Sequence, residues 1–238
     1  MTRREDAAGA AARPEAQAQR AEPQAERAQA QAERAQAQAE TGLYLYGVVR
    51  AGGWRVWRPS GGDAVQRVRC RDLAALVRPA PFRVPVLDRE FLLAHQQAVE
   101  RAMRRDSILP APAGVLFRGR PALLRFLEDQ YNALEEGLAF VENHWELRLH
   151  VLPASAGEPD AGLRDLAAEL YKELRSSARA AIPFQCSGRR LFSAAFLVDR
   201  GAWVRFVERA DDLGGSHPEV IVDVTGPWPP YDFVKMVV

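Results

Sequence analysis

One stretch near the C-terminus constrains the fold more than any other. Val220–Thr225 (VIVDVT) is followed at once by Gly226-Pro227-Trp228-Pro229-Pro230-Tyr231-Asp232-Phe233-Val234. The first part is rich in β-branched residues and reads as a largely buried strand. The second part carries Pro227, Pro229 and Pro230, which lack backbone donors and hold φ near −65°, so the strand is expected to stop at Thr225. Gly226 permits a sharp departure, and Trp228 and Pro229 are held extended because each precedes a proline. The expected product is a stiff arm presenting Trp228, Tyr231 and Phe233 at fixed spacing. Such an arm loses little entropy on docking, and its rings carry large apolar areas. Either it folds back to seal the chain's own core, or it anchors another protein.

The rest of the chain has 238 residues, enough for one large or two small domains. The formal charge is +1, which gives no global electrostatic case for nucleic acid. Lys172 and Lys235 are the only lysines; the other basic residues are arginines. No apolar run reaches the roughly 18 residues of a spanning helix, and the N-terminus lacks an apolar signal core. No membrane association and a cytoplasmic location are therefore expected. Cys70 and Cys186 are far apart and read as two buried thiols in a reducing compartment.

Residues 1–41 are built of Ala, Gln, Glu and Arg without Leu, Ile, Val or an aromatic residue. Gln24–Ala30 recurs intact at Gln31–Ala37. A seven-residue period points to a coiled coil, but an alanine seam buries little area, so a mobile, partly helical tail is expected. Residues 42–118 read as a small α+β domain with a mainly antiparallel sheet. Its strands are Leu43–Val49, apolar on both faces and so central, then Trp54–Trp57, Ala64–Cys70 and Leu73–Val77, with Arg71-Asp72 as a turn. Pro79, Pro81 and Pro85 cross to a helix capped by Asp88, whose core stripe is Phe91, Leu92, His95, Ala98, Val99, Ala102 and Met103. Ile108–Phe117 is an extended return to the sheet. Residues 119–142 form one long linking helix, from about Pro121 to Val141.

Residues 143–238 show strand Trp145–Leu152, helix Leu163–Arg179, short strand Pro183–Cys186, strand Leu191–Val198, helix Ala202–Leu213 and strand Pro218–Thr225. Gly214-Gly215 is expected to end the second helix as a left-handed cap. The order β-α-β-β-α-β is that of a ferredoxin-like domain, a fold that hosts many functions. The overall expectation is α+β, two domains behind a low-complexity tail.

No phosphate loop, nucleophile elbow or metal-ligand cluster is present in the sequence. His95 lies on a helix core stripe and reads as a packed, satisfied histidine. His144 and His150 share one strand face with no third ligand nearby. Glu135-Glu136 and Asp211-Asp212 read as solvated helix positions. Arg104-Arg105 and Arg118–Arg120 lack interleaved aromatics, so they make a weak nucleic-acid signal. The residues support neither an enzyme nor a cofactor or metal site.

Several segments resemble one family. Gly-Pro-Trp-Pro-Pro-Tyr-x-Phe-Val at 226–234 is similar to the C-terminal signature of the gas-vesicle accessory proteins F and L. Leu43–Val49 resembles the family's opening strand, Leu92–Gln96 its helix motif with a histidine, and Ala194–Val198 a later segment. Leu109-Pro110 through Phe117 resembles its leucine-proline segment, although this chain has Pro112-Ala113-Gly114 there and no glycine directly after the matching phenylalanine. The resemblance covers about Gly42 to Val238. It implies an accessory protein of gas-vesicle formation, with two α+β domains, located in the cytoplasm and at the gas vesicle. It further implies contact with the major shell protein and other accessory proteins, and no enzymatic activity. The shell protein of such vesicles is small, apolar and aggregation-prone, so a binder that covers its strands makes physical sense. On this reading Trp228, Tyr231 and Phe233 are the candidate protein-interaction residues. The alternative is a small-molecule-binding regulatory module; a closed pocket with converging polar groups marks that one, an apolar grooved surface marks the interaction protein.

Overall fold

The computed structural model describes residues 41–52, 65–156 and 160–236. The repeat-bearing tail up to residue 40 and the expected strand at Trp54–Trp57 lie outside the described residues.

The first half is built on an antiparallel sheet: β1 (Thr41–Arg50), β2 (Gln66–Cys70), β3 (Leu73–Pro81), β4 (Ile108–Pro110) and β5 (Leu116–Phe117). The strand order is β2-β3-β1-β4, and β5 also pairs with β1. β1 is central and buried from Tyr44 to Val49, as its two apolar faces require. Gly47 is needed there because a Cβ at this position would lie 2.5 Å from the Leu109 carbonyl oxygen. β3 runs past the expected end at Val77, and Pro79 and Pro81 pair with Leu43 and Thr41. The prolines are tolerated because β2 reaches only to Val77; beyond it β3 has no described neighbour on its outer side, so no ladder bond is lost there.

Helix α1 (Arg89–Met103) packs on one face of this sheet. Asp88 caps it, its Oδ1 accepting from the Phe91 amide at 2.8 Å. The buried stripe begins only at His95. Leu92, expected on that stripe, is 44% exposed: a helical period reveals the apolar face but not which of its residues the fold covers. The other face of the sheet carries α2 (Gly119–Asp129) and α3 (Tyr131–Val141). The expected single helix is bent at Gln130, whose φ of −98° and ψ of 7° leave the helical region. Backbone bonds bridge the bend, Gln130 to Phe126 at 3.0 Å and Leu134 to Gln130 at 2.9 Å, so the apolar period runs through it unbroken. The bend lets Leu123 and Leu127 on one side, and Leu134, Leu138 and Val141 on the other, reach the same core.

The second half contains β6 (His144–Pro153), α4 (Ala161–Arg175), β7 (Ala180–Pro183), β8 (Phe192–Asp199), α5 (Trp203–Ser216) and β9 (Val220–Trp228). Its antiparallel sheet has the order β7-β8-β6-β9. One face packs on α4 and α5 through Leu149, Val151, Leu170, Leu174, Phe196 and Phe206. α4 stops at Arg175, short of the expected Arg179, and the short strand lies at Ala180–Pro183, ahead of the expected Pro183–Cys186. Cys70 is buried as expected, but Cys186 is exposed, because it falls in the loop after β7.

Two glycine expectations are corrected. Gly214 and Gly215 stay within α5. A Cβ on Gly214 would sit 3.2 Å from that of Val222, so the glycine serves close helix–strand packing and not a left-handed cap. The final strand also does not stop at Thr225. It passes through Gly226 and Pro227 to Trp228, which pairs with Glu146 after a register shift. A bulge, on the edge strand of the sheet, accommodates the proline that a regular ladder would reject.

The two sheets share apolar contacts. Leu197 of β8, together with Phe233, Val234 and Met236 from beyond β9, packs into the core beneath α2 and α3. No helix among the described residues is long and apolar enough to cross a membrane.

Candidate functional site

The C-terminal arm decides the local geometry. At Gly226, φ is +126°, and a Cβ would lie 2.9 Å from both the Glu146 carbonyl oxygen and the Leu147 side chain, so only glycine fits. The Gly226–Pro227 peptide is cis. Pro229 and Pro230 are buried, and the next turn is closed by Tyr231 N donating to the Pro229 carbonyl at 2.7 Å and Phe233 N to that of Pro230 at 3.3 Å. The arm thereby leaves the second sheet and lies against the first.

The three arm aromatics end in different places. Phe233 packs on the core beneath α2 and α3, and Tyr231 on the core beneath α1. Burial pushes the Tyr231 phenol well above its usual range. Trp228 is half-buried, its Nε1 donating to Thr225 Oγ1 at 3.3 Å.

A polar latch fastens the arm to β6. Glu146 is fully buried. Its Oε1 accepts from Arg148 Nε at 2.8 Å, and its Oε2 accepts from the Asp232 amide at 2.9 Å. Arg148 Nη2 also pairs with Asp232 Oδ2 at 2.8 Å. Burial pushes the Glu146 carboxyl up to about 7, with the facing Asp232 carboxylate adding to the rise and the Asp232 amide and Arg148 opposing it. Within the strand's alternation, Leu147, Leu149 and Val151 face α4 and α5, so Glu146 and Arg148 emerge on the opposite side, beneath the arm.

His95 stands next to this latch. Its Nε2 lies 3.1 Å from the Ala111 carbonyl, and its Nδ1 lies 2.6 Å from the Tyr44 hydroxyl. A carbonyl only accepts, so Nε2 carries the proton and the Tyr44 hydroxyl donates to Nδ1. Burial lowers the His95 pKa to about 4 and raises that of Tyr44 to about 12. The ring is satisfied within the fold, as its place on a core stripe predicted. His144 and His150 do not meet a third ligand; they bond to the Glu142 carbonyl and to Ser193 Oγ. No group of three or more metal-ligating side chains forms among the described residues.

The first turns of α1 separate two surface grooves. One, of about 440 Å³, is walled by Leu92, Gln96, Arg148, Trp228, Pro229 and Tyr231, with His95 at its base. The other, of about 480 Å³, is walled by Arg78, Arg83, Val84, Val86, Phe91 and Leu116. Between and beside them lies an exposed apolar face: Val84 is 93% exposed, Val86 77%, Leu93 50% and Leu87 51%, with Phe82 and Leu92 adjoining. Sequence reasoning treated this segment only as a crossing to the helix. The available signal was an apolar run, Val84 to Leu87, that fits neither helical nor strand periodicity. It also missed the latch, because nothing in the spacing of Glu146, Arg148 and Asp232 shows that the arm returns over β6.

Comparison with known proteins places the chain. The family profile described as "Gas vesicle synthesis protein GvpL/GvpF" matches residues 42–163 and 154–235. Gas vesicle protein F1 of Halobacterium salinarum is 24% identical over 200 residues, covering 82% of this chain and 93% of that protein. Gas vesicle protein L of a Streptomyces species is 26% identical over 225 residues, covering 73% and 84%. The fold resembles the crystal structures of GvpF from an Anabaena species and from Microcystis aeruginosa. The TM-scores are 0.74 and 0.69 at 15% identity, covering 83% and 82% of this chain and 98% and 99% of those chains. With both halves matched by one family description, and the same α+β architecture of two antiparallel sheets in its solved relatives, this chain belongs to the gas vesicle synthesis protein GvpL/GvpF family.

Proposed function

We propose that this chain is a cytoplasmic accessory protein that holds the gas-vesicle shell protein and other accessory proteins during vesicle assembly, without catalysing a reaction. The observation that carries the reading is the apolar face at residues 82–93, flanked by two grooves. Large aliphatic side chains this exposed and this clustered on a folded protein mark a surface meant to be covered. Trp228 and Tyr231 add an aromatic wall beside it, while Phe233 fixes the arm that carries them. We read the chain as two sheet-based modules, residues 42–118 and 143–238, joined through 119–142 and packed on each other through Leu197, Phe233 and Val234. We read the second as ferredoxin-like, on the strength of its element order and its strand order β7-β8-β6-β9.

Co-purification with the shell protein of the same host tests this. Val84→Asp with Leu93→Asp, and separately Trp228→Ala with Tyr231→Ala, are expected to reduce capture at least about tenfold in protein that still melts cooperatively. Unchanged capture in both variants refutes the assignment of the contact to this side of the molecule.

A further inference from the structure

The apolar face at residues 82–93 lies where the N-terminal segment joins the fold. β1 begins at Thr41, which pairs with Pro81, the last residue of β3. The chain before residue 41 and the chain after residue 81 therefore leave the sheet side by side, about 5 Å apart. A Cβ on Gly42 would lie 3.1 Å from the Phe82 side chain. From Phe82 the exposed run continues through Val84, Val86 and Leu87 to Leu92 and Leu93. Forty residues precede Thr41. Within them Ala25, Ala28, Ala32, Ala35 and Ala39 follow one another at alternating spacings of three and four. On a helix these alanines make one narrow apolar stripe. The positions beside the stripe, Gln24, Gln29, Gln31, Gln36 and Gln38, are all glutamines, whereas Glu26, Arg27, Glu33 and Arg34 fall on the far side. The stripe can thus be laid on an apolar surface without desolvating a charge. Alanine against alanine buries too little area to hold two such helices together. Against Val84, Val86, Leu87 and Leu93 the large side chains come from the other partner, and alanines let the helix backbone approach them closely.

We propose that residues 24–39 of the same chain lie as a helix across the apolar face at residues 82–93, cover it with their alanine stripe, and are displaced when a partner docks. The inference rests on the reading of this face as the docking surface and adds what occupies it in the unbound chain. Tethering makes a weak contact sufficient. A segment attached this near its target has an effective concentration on the order of 1 mM, so an intrinsic dissociation constant of about 0.1 mM keeps it seated roughly nine-tenths of the time. A second copy at micromolar concentration is about a thousandfold more dilute and loses that competition. A cover held this weakly shields the aliphatic residues from self-association, yet gives way to a partner that fills the face with larger side chains.

Limited trypsin digestion of the full chain tests this, because Arg27 and Arg34 lie inside the segment. Cleavage after them is expected to run about tenfold slower than in a synthetic peptide of residues 20–40, since only the unseated fraction is cut. Ala28→Glu with Ala32→Glu keeps good helix formers but spoils the stripe, and is expected to bring the rate to that of the peptide. Ala30→Glu with Ala37→Glu makes the same chemical change on the far side of the helix and is expected to leave the protection intact. Val84→Asp with Leu93→Asp is expected to release the segment from the other side of the contact. Cleavage of the parent chain at the peptide's rate, equal loss of protection in the two alanine pairs, or protection that grows with chain concentration, which puts the segment on a second copy, overturns the inference. Capture of the shell protein is read in the same proteins. It is expected to tighten about tenfold in Ala28→Glu with Ala32→Glu, because the face is then open all the time. Unchanged capture in that variant overturns the covering of the docking surface, whereas capture indifferent to Val84→Asp with Leu93→Asp is the failure of the docking face itself.

Discussion

Glu146 and His95 titrate in opposite senses within the same pH range, and together they hide each other. Below about pH 7 the folded chain keeps a proton on Glu146 that the unfolded chain releases near 4.5. Stability from this group is full below about 4.5 and falls as pH rises to about 7. His95 does the reverse: the unfolded chain holds a proton near 6.5 that the folded chain sheds down to about 4. Stability from His95 therefore rises as pH climbs from about 4 to 6.5. The lowering of His95 from 6.5 to about 4 is worth on the order of 3 kcal/mol, and the rise of Glu146 acts with the opposite sign. Both side chains are buried, so solvent screening does not reduce these figures much. Between about pH 4.5 and 6.5 one extra proton on Glu146 balances one missing from His95, and their slopes cancel. Glu146→Gln removes one side of the balance. Its stability, relative to the parent chain, is expected to climb by about 1.4 kcal/mol per pH unit across that window, near 3 kcal/mol in all. His95→Gln is expected to drift downward by a similar amount. Urea unfolding followed by tryptophan fluorescence at fixed ionic strength, at pH 4.5, 5.5, 6.5 and 7.5, measures the differences, from which all other titrating groups drop out. Profiles of both variants parallel to that of the parent would refute the assignment of these two buried proton sites.

Gly226→Ala combines a backbone conformation rarely open to L residues with a Cβ 2.9 Å from an immovable carbonyl oxygen. A loss of about 2–4 kcal/mol by chemical denaturation is expected, and an unchanged midpoint would show that the bulge is not as tight as described. Trp228→Ala is expected to cost about half the 3–5 kcal/mol of a fully buried ring, because Trp228 is half-buried; a melting shift near zero would remove its part in closing the arm.

Much of the fold was legible in the sequence because it follows from local chemistry. The two apolar faces of Leu43–Val49 require a central strand, and β1 is central. The carboxylate of Asp88 sits where a cap belongs, and it accepts from the amide three residues on. The alternation of β6 and the order of the elements after it also follow from period alone. The errors share a cause. Pro79, Pro81 and Pro227 are expected outside strands because a proline breaks a ladder, yet Pro79 and Pro81 lie where β3 has no outer neighbour among the described residues, and Pro227 lies where the ladder is bulged. Leu92 is expected inward because its helix face is apolar, yet it is 44% exposed. Each outcome depends on which strand lies alongside, and sequence neighbours do not carry that information.

The candidate site divides in the same way. The sequence alone determined the stiffness of the closing arm, its aromatic content and its resemblance to a family, because proline and glycine act on the backbone where they stand. Only the tertiary structure decided where the arm goes. It returns over β6, covers Glu146 with Asp232, and forms a groove with α1, a helix more than a hundred residues earlier in the chain. Side chains that far apart meet only because both sheets share a core, and a surface is apolar and exposed only when everything that might have covered it has packed elsewhere.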